Sequence, residues 1–169
     1  MITDELDPQK HNRNSFDCGV ESITAFLRTQ ASQWVRRGLA TCWVWNSEHD
    51  NVIVGFYTLS ASTIGQSSAT STGAGSLPHN IPIPAILIGR LAVNKQYQNK
   101  HKGTMLLLDA FHRAITSDVA WVVVVVDAID EDRARWYEKF GFVRIEQNPI
   151  RLGISRKTIE DLLATSNAE

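Results

Sequence analysis

Five valines in a row, at positions 122–126, leave the chain little choice of local structure. A side chain branched at Cβ favours extended backbone over helix. An apolar run with no polar alternation belongs to a strand covered on both faces. Residues 120–126 are read as that strand. A second apolar run at 85–93 reads as another strand, and residues 104–115 as the helix between them. Strand, helix and strand in that order call for a parallel pair with the helix as crossover, hence an α/β sheet.

The flanking sequence adds antiparallel pieces. Residues 20–37 carry Val20, Ile23, Phe26, Leu27, Trp34 and Val35 at 3–4 spacing, which predicts one helix or two short ones ending near Gly38. Residues 41–45 and 52–59 read as two strands around the polar turn 46–51, an antiparallel hairpin. Residues 60–80 are rich in Ser, Thr, Gly and Ala and read as a mobile loop closed by Pro82 and Pro84. Residues 130–140 predict a helix closed by Gly141. Residues 142–145 and 150–154 predict strands, and Ser155 is placed to cap a last helix through Leu163. Residues 165–169 are expected to fray.

At 169 residues, 43% hydrophobic and 21% charged, the chain is expected to form a single domain spanning 1–169. A formal net charge of -1 gives no general attraction to nucleic acid, so any such site must be a local patch. Cys18 and Cys42 form no CxxC pair, and His11, His49, His79 and His112 have no ligand spacing, so reduced thiols and no metal are expected. The acidic start MITDELDPQK does not read as a signal peptide, and no apolar run is long enough for a bilayer span. These readings point to a cytoplasmic protein.

The candidate site lies after the 85–93 strand. Residues 94–104 read Asn94-Lys95-Gln96-Tyr97-Gln98-Asn99-Lys100-His101-Lys102-Gly103-Thr104 and lead into the helix. A βα corner of this kind aims backbone N–H groups at a phosphate. Read without other context, it is equally a solvated basic loop.

Residues 127–142, DAIDEDRARWYEKFGF, resemble the DA-x-N-x-x-A-x-x-F/W-Y-x-x-x-G-F signature of the GNAT acetyltransferases. Phe16-Asp17-Cys18-Gly19 with Ala25-Phe26-Leu27 is similar to the opening of the GNAT toxins of type II toxin–antitoxin modules. So are Gly55-Phe56-Tyr57-Thr58-Leu59, the strand 84–93 ending Gly89-Arg90-Leu91-Ala92-Val93, and the closing segment 154–163. The resemblance runs over nearly the whole chain. It implies an α/β (α+β) fold, a single GNAT domain with a mixed, mostly antiparallel, splayed central sheet and helices on both faces.

It also implies acetyl-CoA as co-substrate. Its pantetheine would pair with the backbone of Leu91, Ala92 and Val93, and its pyrophosphate would sit on Gln98, Asn99, Lys100, His101, Lys102, Gly103 and Thr104. Tyr137 would be the catalytic acid that protonates the departing CoA thiolate, a role open to a phenol that holds its proton at neutral pH. The implied acceptor is the α-amine of aminoacyl-tRNA, and acetylating it blocks translation. The implied partners are a ribbon-helix-helix antitoxin and a second copy of the chain in a homodimer.

Asn99 and His101 stand where the family usually has glycine, so a protein of this fold that binds a partner without acetyl-CoA is one alternative. A GNAT enzyme acting on a small amine or a protein N-terminus is another. Arg90, Arg36, Arg37 and Lys95 are candidate tRNA contacts, against ion pairing for Arg90 and a solvated face for the others. Asp127 and Glu131 are weak candidates for polarising a water. Ala134, Trp136 and Phe140 are expected to face the sheet, and Trp43 with Trp45 to mark an interface.

Overall fold

The computed structural model describes residues 1–166. Its strands are β1 (Asp4–Glu5), β2 (Thr41–Asn46), β3 (Ile53–Ile64), β4 (Ile83–Val93), β5 (Val123–Asp127), β6 (Val143–Gln147) and β7 (Ile150–Ser155). They form one sheet in the order β1-β2-β3-β4-β5-β7-β6. The β1/β2, β2/β3, β5/β7 and β6/β7 pairs are antiparallel, and β4/β5 is parallel. The helices are α1 (Glu21–Ala25), α2 (Ala31–Arg36), α3 (Gln66–Ser71), α4 (Lys102–Ile115), α5 (Glu131–Glu138) and α6 (Arg156–Ser166). No helix among the described residues is long and apolar enough to cross a membrane. The chain forms two compact units, each discontinuous in sequence: Met1–Ser60 with Gly89–Arg113, and Ala61–Ile88 with Ala114–Glu169.

In the first unit α1 and α2 are joined by a π-helical turn, Phe26–Gln30. The apolar positions read from the sequence all pack in one core: Phe26 and Leu27 are buried with Phe16, Ile53 and Phe56, and Val20, Ile23, Trp34 and Val35 lie against them. The helix α4 lies on β3 at Gly55. A Cβ there would come within 2.6 Å of Leu106 and 2.7 Å of the Ala92 carbonyl, so only glycine permits the approach. The short strand β1 is pinned by a buried carboxylate. Asp109 accepts hydrogen bonds from the Ile2 N–H (2.6 Å), the Thr3 hydroxyl and the Tyr57 hydroxyl (2.7 Å). Arg113 donates to the same Tyr57 oxygen at 3.0 Å and lies over the Trp43 ring, 3.3 Å from its centroid.

In the second unit the valine run behaves as its composition demands. The residues Val123, Val124, Val125 and Val126 are at most 1% exposed. They pair in parallel with residues 85–88 and antiparallel with residues 152–155. Ser155 caps α6 by accepting from the Thr158 N–H at 3.2 Å.

Two expectations need correction here. The segment 60–80 is not all loop: β3 runs to Ile64 and α3 occupies Gln66–Ser71. Ala69, fully buried beside Ile64 and Ile83, supplies the apolar contact that holds this otherwise polar helix. The expected fraying from 165 is wrong for Thr165 and Ser166, whose hydroxyls bond back into α6. The rest of that tail, 167–169, lies outside the described residues.

Candidate functional site

The loop that follows β4 is fastened at its start. The buried Asn94 donates its side-chain amide to the Ile53 carbonyl at 3.0 Å, and its own N–H bonds the Val54 carbonyl. The Lys95 N–H bonds the Asp17 carbonyl at 2.8 Å, while its ammonium pairs with the Asp17 carboxylate at 3.0 Å. The Gly19 N–H and then Lys95 hold the Asp17 carboxyl below its usual pKa. Gln98 spends both protons of its amide on backbone carbonyls, Cys18 and Val93, each at 2.9 Å. The corner Phe16-Asp17-Cys18-Gly19 is therefore the seat of the loop. Gly19, at φ 86°, makes the tight turn.

Beyond this anchor the backbone takes an unusual path. Asn99 and His101 both adopt left-handed angles, φ 60° and 56°. These are the two positions where glycine is the easier residue. Both side chains are exposed. The His101 carbonyl receives the first helical hydrogen bond of α4, from the Met105 N–H. The N–H groups of Lys102, Gly103 and Thr104 consequently have no acceptor within the helix and lie at the positive end of its fourteen residues. The β4 residues Leu91 and Val93 are half-buried and Ala92 is buried.

The basic residues of the loop divide in two. Lys95 is committed to Asp17, and Lys102 rests on Trp45, 4.6 Å from the ring centroid. Lys100 and His101 are exposed without a partner among the described residues. Lys95 is thus not a free candidate for tRNA, and the Gln98 amide protons are not free for a cofactor. Among the other candidates, Arg36 and Arg37 are exposed at the end of α2, with no ion pair among the described residues. The half-buried Arg90 makes no ion pair among the described residues. Its guanidinium lies over Phe26 at 3.6 Å and Trp34 at 4.9 Å.

Tyr137 sits on α5 in the second unit. Asp130 caps that helix by accepting from the Arg133 N–H at 2.7 Å. The expected orientation of α5 is off by one residue. Ala134 and Tyr137 take the buried positions, while Trp136 and Phe140 are only half-buried and pack edge-on against one another at 4.9 Å. The Tyr137 ring is wedged between Trp136 (4.9 Å) and Phe142 (5.3 Å). Its hydroxyl makes no hydrogen bond among the described residues, yet it is not among the sealed, unpartnered polar atoms, so it reaches the surface. Burial pushes the phenol above the ordinary tyrosine pKa.

The two weak carboxylate candidates are already engaged. Asp127 takes both arms of Arg151 at 2.7 and 2.9 Å, and Glu131 takes Arg144 at 3.0 and 2.8 Å. The Arg144 contact holds the Glu131 carboxyl low, which makes it a weak base. Trp43 and Trp45, expected at an interface, are each covered by a cation from α4.

Residues 38–144 match the family model described as acetyltransferase (GNAT) domain. A probable toxin TacT of Sinorhizobium fredii is 25% identical over 96% of this chain and 94% of its own length. A tRNA-acetylating toxin of Mycobacterium tuberculosis is 28% identical over 88% of this chain and 89% of its own. The solved structure of AtaT complexed with acetyl-methionyl-tRNAfMet superposes with a TM-score of 0.84 at 23% identity, over 95% of this chain and 98% of that one.

Proposed function

Since the chain belongs to the acetyltransferase (GNAT) domain family, we propose that it transfers an acetyl group from acetyl-CoA to the α-amine of aminoacyl-tRNA. In this reading it is the toxin of a type II toxin–antitoxin pair. Similarity to relatives named for tRNA acetylation supports the acceptor. The observation that carries the cofactor is the left-handed backbone at Asn99 and His101. It keeps the loop on a glycine-like path without glycine, and leaves the first N–H groups of α4 open to a pyrophosphate.

The N–H groups of Lys102, Gly103 and Thr104, with Lys100 nearby in sequence, take the phosphates. The backbone of Leu91, Ala92 and Val93 takes the pantetheine. Tyr137 supplies a proton. The neutral amine attacks the acetyl carbonyl, the C–S bond breaks, and its electron pair leaves on sulfur. The phenolic proton of Tyr137 goes to that thiolate, and the proton lost by the amine goes to water. Tyr137 then regains its proton from solvent. A raised phenol pKa keeps the acid loaded at neutral pH. Asp127 and Glu131 are bound to arginines and are not assigned as bases. An aminoacyl ester has an amine of depressed pKa, so a strong base is unnecessary.

The product carries no free amine and cannot accept a peptide. The protein acts in the cytoplasm, as a homodimer neutralised by a ribbon-helix-helix antitoxin. A cell-free translation reaction tests this. Added protein should stop synthesis only when acetyl-CoA is present, and fresh aminoacyl-tRNA should restore it. Inhibition without acetyl-CoA would favour a partner-binding role, and no inhibition would favour a different amine.

A further inference from the structure

Arg90 is held in an arrangement that its own unit does not complete. Its backbone N–H bonds the hydroxyl of the buried Thr58 at 3.1 Å. Its guanidinium stacks over the Phe26 ring at 3.6 Å, with Trp34 at 4.9 Å. Those rings are themselves fixed. Phe26 meets Trp34 edge-on at 5.3 Å and stacks on Phe56 at 6.4 Å. Phe26 opens the π-helical turn, a feature that recurs at functional sites. Aromatic faces cover the plane of a guanidinium but not its edge, where the five N–H donors lie.

No donor of that edge has a partner among the described residues. The nitrogens of that edge are not sealed from water, so it stays open to an incoming anion. Burial also pulls the Arg90 pKa down, as expected where no anion offsets it. In the second unit, by contrast, Arg135, Arg144, Arg151 and Arg156 each meet a carboxylate. Arg36 and Arg37, on the first unit, are also without an ion pair among the described residues, but are exposed and need none.

We propose that Arg90 is a preorganised phosphate fork, aimed by the Phe26 and Trp34 rings, that receives a phosphodiester of the acceptor strand of the tRNA. The proposal rests on the aminoacyl-tRNA reading and names the residue that positions that substrate. A planar fork matches two phosphate oxygens at once, and stacking removes the rotamer freedom that flexible arginines lose on binding. Acetyl-CoA also carries phosphates. Arg90 lies three residues before Val93, about 10 Å upstream along the strand, whereas the proposed pyrophosphate loop lies downstream. The acceptor strand is therefore the favoured source.

The test compares the full chain with Arg90→Gln, Arg90→Lys and Trp34→Leu. Each is titrated with uncharged tRNA over a range of salt and, separately, with acetyl-CoA, after thermal melts confirm folding. Arg90→Gln should weaken tRNA about tenfold to a hundredfold. It should also lower the slope of log affinity against log salt by about 0.7. Its acetyl-CoA affinity should stay unchanged. Arg90→Lys should restore the slope but not the affinity, and Trp34→Leu should weaken tRNA at constant slope. Unchanged tRNA affinity and slope in Arg90→Gln would overturn the proposal, as would a loss confined to acetyl-CoA. If Arg90→Gln does not fold, a Trp34→Leu protein that binds tRNA as the wild type does would overturn it. Wild-type protein that binds tRNA through Arg90 but acetylates no charged tRNA would keep the proposal and sink the enzymatic reading. Wild-type protein that binds no tRNA would sink both.

Discussion

The two units hold a buried tyrosine and several arginines each in different ways. In the first, the buried tyrosine is fully occupied: Tyr57 donates to Asp109 and accepts from Arg113. The arginines Arg90, Arg36 and Arg37 there have no anion among the described residues. In the second, Arg144, Arg151 and Arg156 are tied to carboxylates, while Tyr137 has a hydroxyl with no partner among the described residues. The formal charges follow the same division, ten Lys and Arg against eight Asp and Glu in the first unit, and seven against ten in the second. An overall charge near zero therefore hides one unit with spare cations and another with a spare phenol. Spare cations suit the binding of polyanions, and a spare phenol suits proton transfer.

The contrast is sharpest if chemistry and binding separate between Tyr137 and the arginines Arg90, Arg36 and Arg37. Tyr137→Phe should lower kcat about a hundredfold to ten-thousandfold while leaving acetyl-CoA and tRNA affinity at wild-type values, read by steady-state kinetics and calorimetry. A loss of binding in that variant would break the division. Removing both exposed cations, Arg36→Gln with Arg37→Gln, should weaken tRNA about five- to tenfold and flatten its salt slope by about 1.5. The acetyl-CoA constant should not move.

The two tyrosines allow a finer comparison. Burial raises both phenol pKa values. The unfolded chain loses these protons first as pH climbs past about 10. The folded state then holds more protons than the unfolded one, so stability falls as pH rises through that range. Urea midpoints measured from pH 8 to 11 should drop, and Tyr137→Phe should flatten the fall. His101→Gly should relieve a left-handed angle and raise stability by about 1 kcal/mol, a Tm gain of about 2–4 °C, with acetyl-CoA affinity undiminished. The smallest effect is expected from Arg151→Gln in the second unit. It removes a cation already bound to Asp127, so tRNA affinity and salt slope should be unchanged.

Much of the fold could be read locally. The valine run declares β5 because no other structure suits it. The 3–4 spacing from Val20 to Val35 declares a helical face that does join the first core. What failed locally was decided by distant contacts. The helix α3 looks like loop because its apolar content is little more than Ala69, which matters only beside Ile64 and Ile83. On α5 the spacing gives a buried face but cannot choose between the adjacent Trp136 and Tyr137, and packing against Phe142 chooses Tyr137. The candidate loop is legible as a phosphate-binding corner. The commitment of Gln98 to Cys18 and of Lys95 to Asp17 spans about eighty residues and leaves no local trace. The anchoring role of Asn94 leaves no local trace either, since its partner is the Ile53 carbonyl. The aromatic seat of Arg90 likewise needs Phe26 and Trp34 brought to β4 by the fold.

The central claim is acetylation of the amino acid on a charged tRNA. The most direct measurement incubates the purified protein with acetyl-labelled acetyl-CoA and total tRNA, once charged and once stripped of its amino acids. Label should appear only in the charged sample, and mild alkali should release it as an N-acetyl amino acid. Label on stripped tRNA, or none on either sample while a small amine or a protein N-terminus is acetylated, would contradict the account.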